Sequence, residues 1–324
     1  MLELAGLVNL DTVRAAHERI RPHIHRTPIL TNSWLNDASK ASMFFKCENF
    51  QKVGAFKARG ATNAVFALDD ETARRGVATH SSGNHGAAVA RAAKLRGIPA
   101  HIVMPSNSAK VKIRAVESYS AQVVFCEPTE ESRELKCAEV IYKTAATLIH
   151  SFENEHVIAG QGTAAMELLE DIADLDVIMC PVGGGGLLSG TAVAAKSVRP
   201  QIKVIAVEPE NADDAAQSFR AERRLVTEKK FTIADGLRTN VGEPNFAIIR
   251  QYVDVIVTVS EEAIISAMRT IWETMKIVIE PSAAVPYAAI QQGKIDVANK
   301  KIGIILTGGN VDLDALPWNC SPDR

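Results

Sequence analysis

The stretch Val177-Ile178-Met179-Cys180-Pro181-Val182-Gly183-Gly184-Gly185-Gly186-Leu187-Leu188 decides how this chain is read. Its apolar first half makes a strand buried on both faces, the four glycines make a loop, and the alanine-containing continuation makes a helix starting near Leu188. Val177 to Ala195 carries no charge and approaches the roughly 20 residues of a bilayer span, but Pro181 and the glycines make it a poor membrane helix. Consecutive glycines let backbone N–H groups converge on an anion, and the helix N-terminus adds partial positive charge. A phosphate cradle is the direct chemical reading, with a tight turn needing glycine only for packing as the alternative. No Gly-Lys-Ser/Thr follows, so this is not a Walker loop, and the third glycine of G-x-G-x-x-G is missing, which weakens a dinucleotide site.

Outward from this unit the same alternation of short apolar runs and helical stretches repeats, which predicts an α/β protein with open, mostly parallel sheets. Strands are expected at Gly76 to His80, His101 to Met104, Gln122 to Cys126, Val177 to Val182, Val204 to Val207, Val255 to Val259 and Ile302 to Leu306. Helices are expected at Gly86 to Arg96, Glu130 to Ala145, Gly162 to Asp171 and Glu261 to Met275, the last capped by Ser260. The polar stretch Glu208 to Asn245 reads as a long surface excursion. Ligands of such sheets bind at the carboxyl ends of the strands, where the loops lie.

The 324 residues suffice for two domains, and 47% hydrophobic content with a net charge of −2 gives no reason to expect nucleic acid or an anionic membrane as partner. Five dispersed cysteines without C-x-x-C spacing argue against a disulfide framework or a zinc site and for a reducing, cytoplasmic setting. Residues 1–11 have neither a basic start nor a long apolar stretch, so no signal peptide is read there.

Three further loops carry chemistry. Ser81-Ser82-Gly83-Asn84-His85-Gly86 lies between a strand and a helix; its donors suit a carboxylate, although Ser and Asn are also ordinary helix caps. Val53-Gly54-Ala55-Phe56-Lys57-Ala58-Arg59-Gly60 sets a lysine beside an aromatic ring, where desolvation would make it nucleophilic; most lysines are simply solvated. Leu306-Thr307-Gly308-Gly309-Asn310-Val311-Asp312 follows a strand and is otherwise an ordinary turn.

These four motifs, in this order, resemble the fold-type II (tryptophan synthase beta-like) pyridoxal-phosphate enzymes, and more narrowly the serine racemase, serine/threonine dehydratase and 3-hydroxyaspartate dehydratase group. Further matching stretches are Phe45 to Gln51, Val157 to Thr163, Ile233 to Gly236 and Ile279 to Ser282, so the resemblance runs from about Leu10 to about Trp318. It implies a large cofactor-binding domain of residues 1–75 and 147–324 and a small substrate-closing domain of residues 76–146. It implies that Lys57 holds pyridoxal 5'-phosphate as a Schiff base, Phe56 packs on the pyridine ring and Asn84 bonds its 3-hydroxyl. Gly183, Gly184, Gly185, Gly186 and Leu187 would bind the phosphate, and Thr307 would face the ring nitrogen. A neutral partner at that nitrogen makes a weaker electron sink, which favours β-elimination over transamination.

By the same resemblance Ser81, Ser82, Asn84, His85 and Gly236 line the substrate site, and Lys57 removes the Cα proton as the β-hydroxyl leaves, giving a 2-oxo acid and ammonia. Ser82 corresponds to a second acid/base on the opposite face of Cα, which would allow racemisation. Arg133 matches an arginine that reaches a side-chain carboxylate, which admits 3-hydroxyaspartate beside serine and threonine; a solvated helix charge is the alternative. Glu208, Ala212 and Asp214 match a divalent-cation site, whose oxygen donors suit Mg²⁺, Ca²⁺ or Mn²⁺. At positions that bind nucleotide in animal racemases Lys52, Tyr119 and Asn310 remain, but Val53 and Ala87 replace polar residues, so activation by ATP is not expected. A homodimer is implied. The expected function is a β-hydroxy amino acid ammonia-lyase. A serine racemase with dehydratase side activity, an NAD-dependent dehydrogenase and a non-catalytic amino-acid sensor are its rivals.

Overall fold

The computed structural model describes residues 6–81, 83–108, 110–228 and 231–318. Two sheets form. In the six-stranded sheet the order is β1 (Ile29–Leu30), β2 (Ser42–Cys47), β10 (Lys301–Leu306), β7 (Val177–Pro181), β8 (Lys203–Pro209) and β9 (Val255–Val259). All neighbours are parallel except β1, which runs antiparallel to β2. The four-stranded sheet, parallel throughout, has the order β5 (Gln122–Cys126), β4 (Ala100–Pro105), β3 (Val77–His80) and β6 (Thr147–Leu148). The α/β class and the parallel pairing expected from the sequence are therefore present, and every expected strand forms. β6 lies just beyond the expected domain boundary at 146.

Three strands were not expected. β1 and β6 are only two residues long. The sequence Ser42–Cys47 contains Lys46, and a charge normally excludes a central strand, yet here the Lys46 side chain is fully buried. Its Nζ donates to Glu167 Oε2 at 2.7 Å and to the Thr27 carbonyl at 2.8 Å. Arg59 completes the cluster: its Nε and Nη2 each lie 2.7 Å from Glu48, and its Nη1 and Nη2 each lie 2.8 Å from Glu167. Burial on its own would lower the Arg59 pKa, but the two carboxylates raise it, so the guanidinium stays charged. Two cations and two carboxylates saturate one another, which is the condition under which buried charge is tolerated.

The helix expected from Gly162 begins earlier, spanning Glu155–Asp171, with the Asn154 side chain accepting from Val157 N. Gly160 and Gly162, inside this helix, are contact points. A Cβ on Gly160 would sit 2.7 Å from Gly60 Cα, and one on Gly190 would sit 2.3 Å from the Ile158 carbonyl. Glycine costs roughly 0.5–1 kcal/mol against alanine inside a helix, and here it lets helices Lys57–Ala67, Glu155–Asp171 and Gly186–Val198 touch backbone to backbone. The lysine's helix and the helix of the glycine loop are thereby fixed against a common third helix.

The stretch Glu208 to Asn245 corrects the expectation of a surface excursion. It contains the helix Asp214–Arg220, where Asp214, Ala215, Ala216 and Ser218 are buried, and a short 3-10 turn at Asp235–Leu237. Small side chains fit that helix against the sheet, and the buried Glu208 carboxylate accepts the N–H groups of Ala215 at 3.1 Å and Ala216 at 2.7 Å. Apolar clusters cover both faces of the six-stranded sheet. The expected capped helix Glu261–Met275 forms with Ser260 accepting from Ala263 N, and buries Ile264, Met268 and Ile271. No helix among the described residues is long and apolar enough to cross a membrane.

Candidate active site

The carboxyl ends of strands from both sheets face one cavity of about 480 Å³, whose lining includes Lys57, Asn84, Gly183 to Leu187 and Thr307. Sequence-distant motifs are thus assembled by topology alone. Lys57 is the first residue of its helix, and the segment before it is pinned to the loop after β10. Phe56 N donates to the Thr307 carbonyl at 2.9 Å, and Ala55 bridges Gly308. Lys57 Nζ donates to the Ser151 carbonyl at 3.0 Å and lies 5.1 Å from the Phe56 ring centroid. Desolvation pulls its pKa down to about 8, opposed by the charge of Glu280. An ammonium at a helix N-terminus is further disfavoured by the helix dipole. The amine is therefore far closer to its nucleophilic, neutral form at neutral pH than a surface lysine.

Opposite it, Gly183 to Gly186 leave β7 and turn into the helix Gly186–Val198. Gly185 has φ +93°, and a Cβ there would also meet Asn245. A Cβ on Gly184 would overlap the Phe152 ring, 2.2 Å away. Only glycine fits either position, and the result is a helix N-terminus open to the cavity, as an anion requires. On the side of the four-stranded sheet, Asn84 opens the helix Asn84–Arg96 and Ser81 Oγ accepts from Gly83 N at 3.2 Å. Ser82 lies outside the described residues. His85 lines the cavity, but its Nε2 is paired with the Ile149 carbonyl at 2.9 Å, which makes that nitrogen the protonated one. Burial pushes its pKa down to about 3. A neutral ring with an acceptor Nδ1 cannot serve as a cation for a carboxylate; what His85 contributes is its place in the first turn of the helix.

Arg133 and Lys112 bring positive charge to the cavity wall. Lys112 is engaged by Asp235 at 2.8 Å. Arg133 makes one long hydrogen bond among the described residues, Nε to its own helix's Thr129 carbonyl at 3.4 Å, and no carboxylate among them lies within ion-pair distance. Gly236 lines the same cavity beside Ser282, whose Oγ is 3.0 Å from where a Cβ on Gly236 would be.

Glu280 and Ser282 are given no role by the sequence, although both lie in a matching stretch, whereas Thr307 is given one. Glu280 is buried, accepts Asn84 Nδ2 on both oxygens at 3.1 Å, and has its pKa pushed up to about 7 by burial. A lone acid directly after the apolar run Ile277 to Ile279 is the available signal. Thr307 Oγ1 and Ser282 Oγ are buried without a hydrogen-bond partner among the described residues, although both line the cavity. Native proteins rarely leave such groups unmatched. Unmatched hydroxyls, a desolvated amine and a glycine-built anion cradle facing one cavity are the donor set that an aldehyde- and phosphate-bearing cofactor needs, so the residues fit pyridoxal phosphate.

Away from the cavity, Asp214 Oδ2 accepts Val241 N at 2.7 Å. Burial raises the pKa of Asp214 to about 6, and burial also raises that of Glu208 well above its ordinary value, with the charge of Asp214 adding to the effect. Ala212, between them in sequence, is also buried. No group of three or more His, Cys, Asp or Glu side chains that could hold a metal occurs among the described residues. Glu208 and Asp214 are buried oxygen donors, the class of ligand that a hard cation takes.

Residues 20–308 match the family of pyridoxal-phosphate dependent enzymes, and the chain belongs to it. The β-hydroxyaspartate dehydratase of Paracoccus denitrificans is 49% identical over 309 residues, covering 95% of this chain and 98% of that protein. The serine racemase of Dictyostelium discoideum is 48% identical over 319 residues, covering 97% and 98%. Among solved structures, that of maize serine racemase superposes with a TM-score of 0.93 at 46% identity, covering 96% of each chain. The fold-type II architecture and the use of pyridoxal phosphate read from the motifs are thus correct, and the chain is an enzyme of this dehydratase and racemase group.

Proposed function

We propose that the protein is an ammonia-lyase acting on β-hydroxy amino acids, with 3-hydroxyaspartate as its preferred substrate. The observation that carries this is one cavity holding a desolvated lysine, a glycine cradle and an arginine that has no carboxylate partner among the described residues. The identity to β-hydroxyaspartate dehydratase supports it. Lys57 would hold the cofactor, Phe56 would pack on its ring, Asn84 would face its 3-oxygen, Gly183 to Leu187 would bind its phosphate and Thr307 would meet the ring nitrogen. Bound pyridoxal phosphate supplies the electron sink that acidifies the substrate Cα–H. The helix N-terminus at Ser81, Asn84 and His85 orients the α-carboxylate, with Gly236 leaving room for the substrate opposite. Arg133 takes the β-carboxylate. The neutral Lys57 amine accepts the Cα proton, and the β-hydroxyl departs as water, leaving a 2-oxo acid and ammonia after hydrolysis.

The purified protein should be yellow, the colour should be discharged by borohydride, and Lys57→Ala should remove both colour and activity; a colourless wild type that cannot be reconstituted refutes the reading. Arg133→Ala should lower kcat/KM for 3-hydroxyaspartate by about 10- to 100-fold, the value of one lost charge-assisted hydrogen bond, while sparing serine. Equal losses on both substrates would remove 3-hydroxyaspartate as the preferred one.

Racemisation is the second reading, favoured by the identity to serine racemase. Ser82 is its proposed second acid/base, and Ser82→Ala should spare elimination from L-substrates while abolishing enantiomer exchange. We further propose that Glu208, Asp214 and the Ala212 carbonyl bind Mg²⁺, Ca²⁺ or Mn²⁺. A melting temperature that is unmoved by EDTA and by added Mg²⁺ would exclude the site. The two sheets are proposed as the cores of a large cofactor domain and a small closing domain, and the protein as a cytoplasmic homodimer. Four cysteines, Cys47, Cys126, Cys137 and Cys180, are free and buried, which suits a reducing compartment.

A further inference from the structure

Asn84 is held from two sides across the cavity, and the identity of every hydrogen-bonding atom in the hold can be derived. Asn310 Nδ2 lies 2.8 Å from the Val53 carbonyl and 2.8 Å from Asn84 Oδ1. A backbone carbonyl can only accept, so the Asn310 atom facing it must be the amide nitrogen. The second hydrogen of that nitrogen requires an acceptor in turn, so the Asn84 atom facing it must be oxygen. The Asn84 nitrogen is then left facing Glu280, whose two oxygens are both 3.1 Å away and can only accept when ionised. Glu280 is itself fixed, since its N–H donates to the Gly308 carbonyl at 2.9 Å.

The origin of this chain is a strained peptide. Val53 is β-branched yet has φ +57° and ψ +14°, in the left-handed region that such residues avoid. Strain of this kind costs of the order of 1–3 kcal/mol and persists only where surrounding structure imposes it. Gly309 N donates to the Gly54 carbonyl at 2.9 Å, and a Cβ on Gly54 would fall 2.7 Å from Asn310 Oδ1, so the Asn310 side chain lies directly on the strained turn. Asn310 itself is exposed, at the rim of the cavity it helps to line.

We propose that Val53, Asn310 and Glu280 form a relay of positioning residues that fixes the polarity of the Asn84 amide, so that a hydrogen of its nitrogen is presented to the cavity. The relay rests on the reading of Asn84 as the partner of the cofactor's 3-oxygen. Its consequence is that this oxygen meets a donor and is held in its anionic form. The turn that leads into Lys57 thereby also sets Asn84, which lines the same cavity.

The test compares Asn310→Ala with Asn310→Asp in the holoenzyme, with Asn84→Ala as reference. Readouts are the visible circular dichroism of the bound cofactor and separate kcat and KM values. Aspartate is nearly isosteric with asparagine but cannot donate, so it faces two acceptors and forces the Asn84 amide to turn over. Both Asn310 variants should alter the visible signal in the same sense as Asn84→Ala, with Asp the worse of the two and kcat falling about tenfold, as for one reversed hydrogen bond. An effect of shape alone would make Ala the worse. Ala worse than Asp, or wild-type signals in both while Asn84→Ala is altered, overturns the relay and leaves the reading of Asn84 standing. A wild-type signal in Asn84→Ala itself overturns that reading, and the relay falls with it.

Discussion

Lys57 and Arg59 stand two residues apart at the start of one helix and meet opposite treatment. Arg59 points into a closed cluster where every charge has a counter-charge, Glu48 and Glu167 each gripping it with two oxygens. Lys57 points into a cavity where it has a carbonyl as its hydrogen-bond partner and where the Thr307 and Ser282 hydroxyls are unmatched among the described residues. Both cations are desolvated, so desolvation does not distinguish them. Satisfaction does: the first region is finished within the chain, while the second has its valences left open for a ligand. Completed networks confer rigidity, and incomplete ones mark where chemistry happens.

The comparison is broken most severely at Arg59. Replacing it with methionine leaves Glu48 and Glu167 buried and underpaired, and should cost about 3–5 kcal/mol in urea unfolding. A loss below about 1 kcal/mol would mean that the cluster is hydrated and not closed. Gly160→Ala attacks the joint between the two regions and should cost about 1–3 kcal/mol through overpacking against Gly60. It should also lower cofactor affinity, because the helix of Lys57 must retreat.

The pH dependence sharpens the contrast, since the two regions carry opposite slopes. Burial would raise the pKa of Glu167, but Arg59 and Lys46 hold it below its ordinary value. Its contribution is complete above the unfolded value near 4.5 and is lost as pH falls further. Glu280 is raised from 4.5 to about 7 by burial. Its contribution is complete below 4.5 and is lost as pH rises through about 7. In the cofactor-free protein, Glu280→Gln should therefore flatten the decline in stability between about pH 5 and 7.5, as read by urea unfolding, and leave the acid limb unchanged. An unaltered decline would place its cause elsewhere. The smallest effect belongs to Thr307→Val, which removes an unmatched hydroxyl. Without cofactor it should be neutral or stabilising by up to about 1 kcal/mol, yet it should weaken cofactor binding. Destabilisation of the cofactor-free protein by more than that would show the hydroxyl to be already satisfied.

Ser260 and the glycine loop could be read directly because their roles are local: a cap and a φ near +93° at Gly185 depend on neighbours along the chain. Sequence order alone also determined the parallel α/β class and the four loops that form the site, since apolar runs ending in turn residues place loops at strand ends whatever the packing. What it could not determine was which polar groups find partners. Lys46 is not legible as a strand residue because its counter-charge, Glu167, is far away in sequence, and the helix expected from Gly162 starts too late because the reason for a glycine at 160 is the distant Gly60. Glu280 and Asn310 gained their roles only through Asn84, which belongs to the other sheet. Hydrogen-bond satisfaction and desolvation are properties of the space around a group, and only the tertiary structure decides that space.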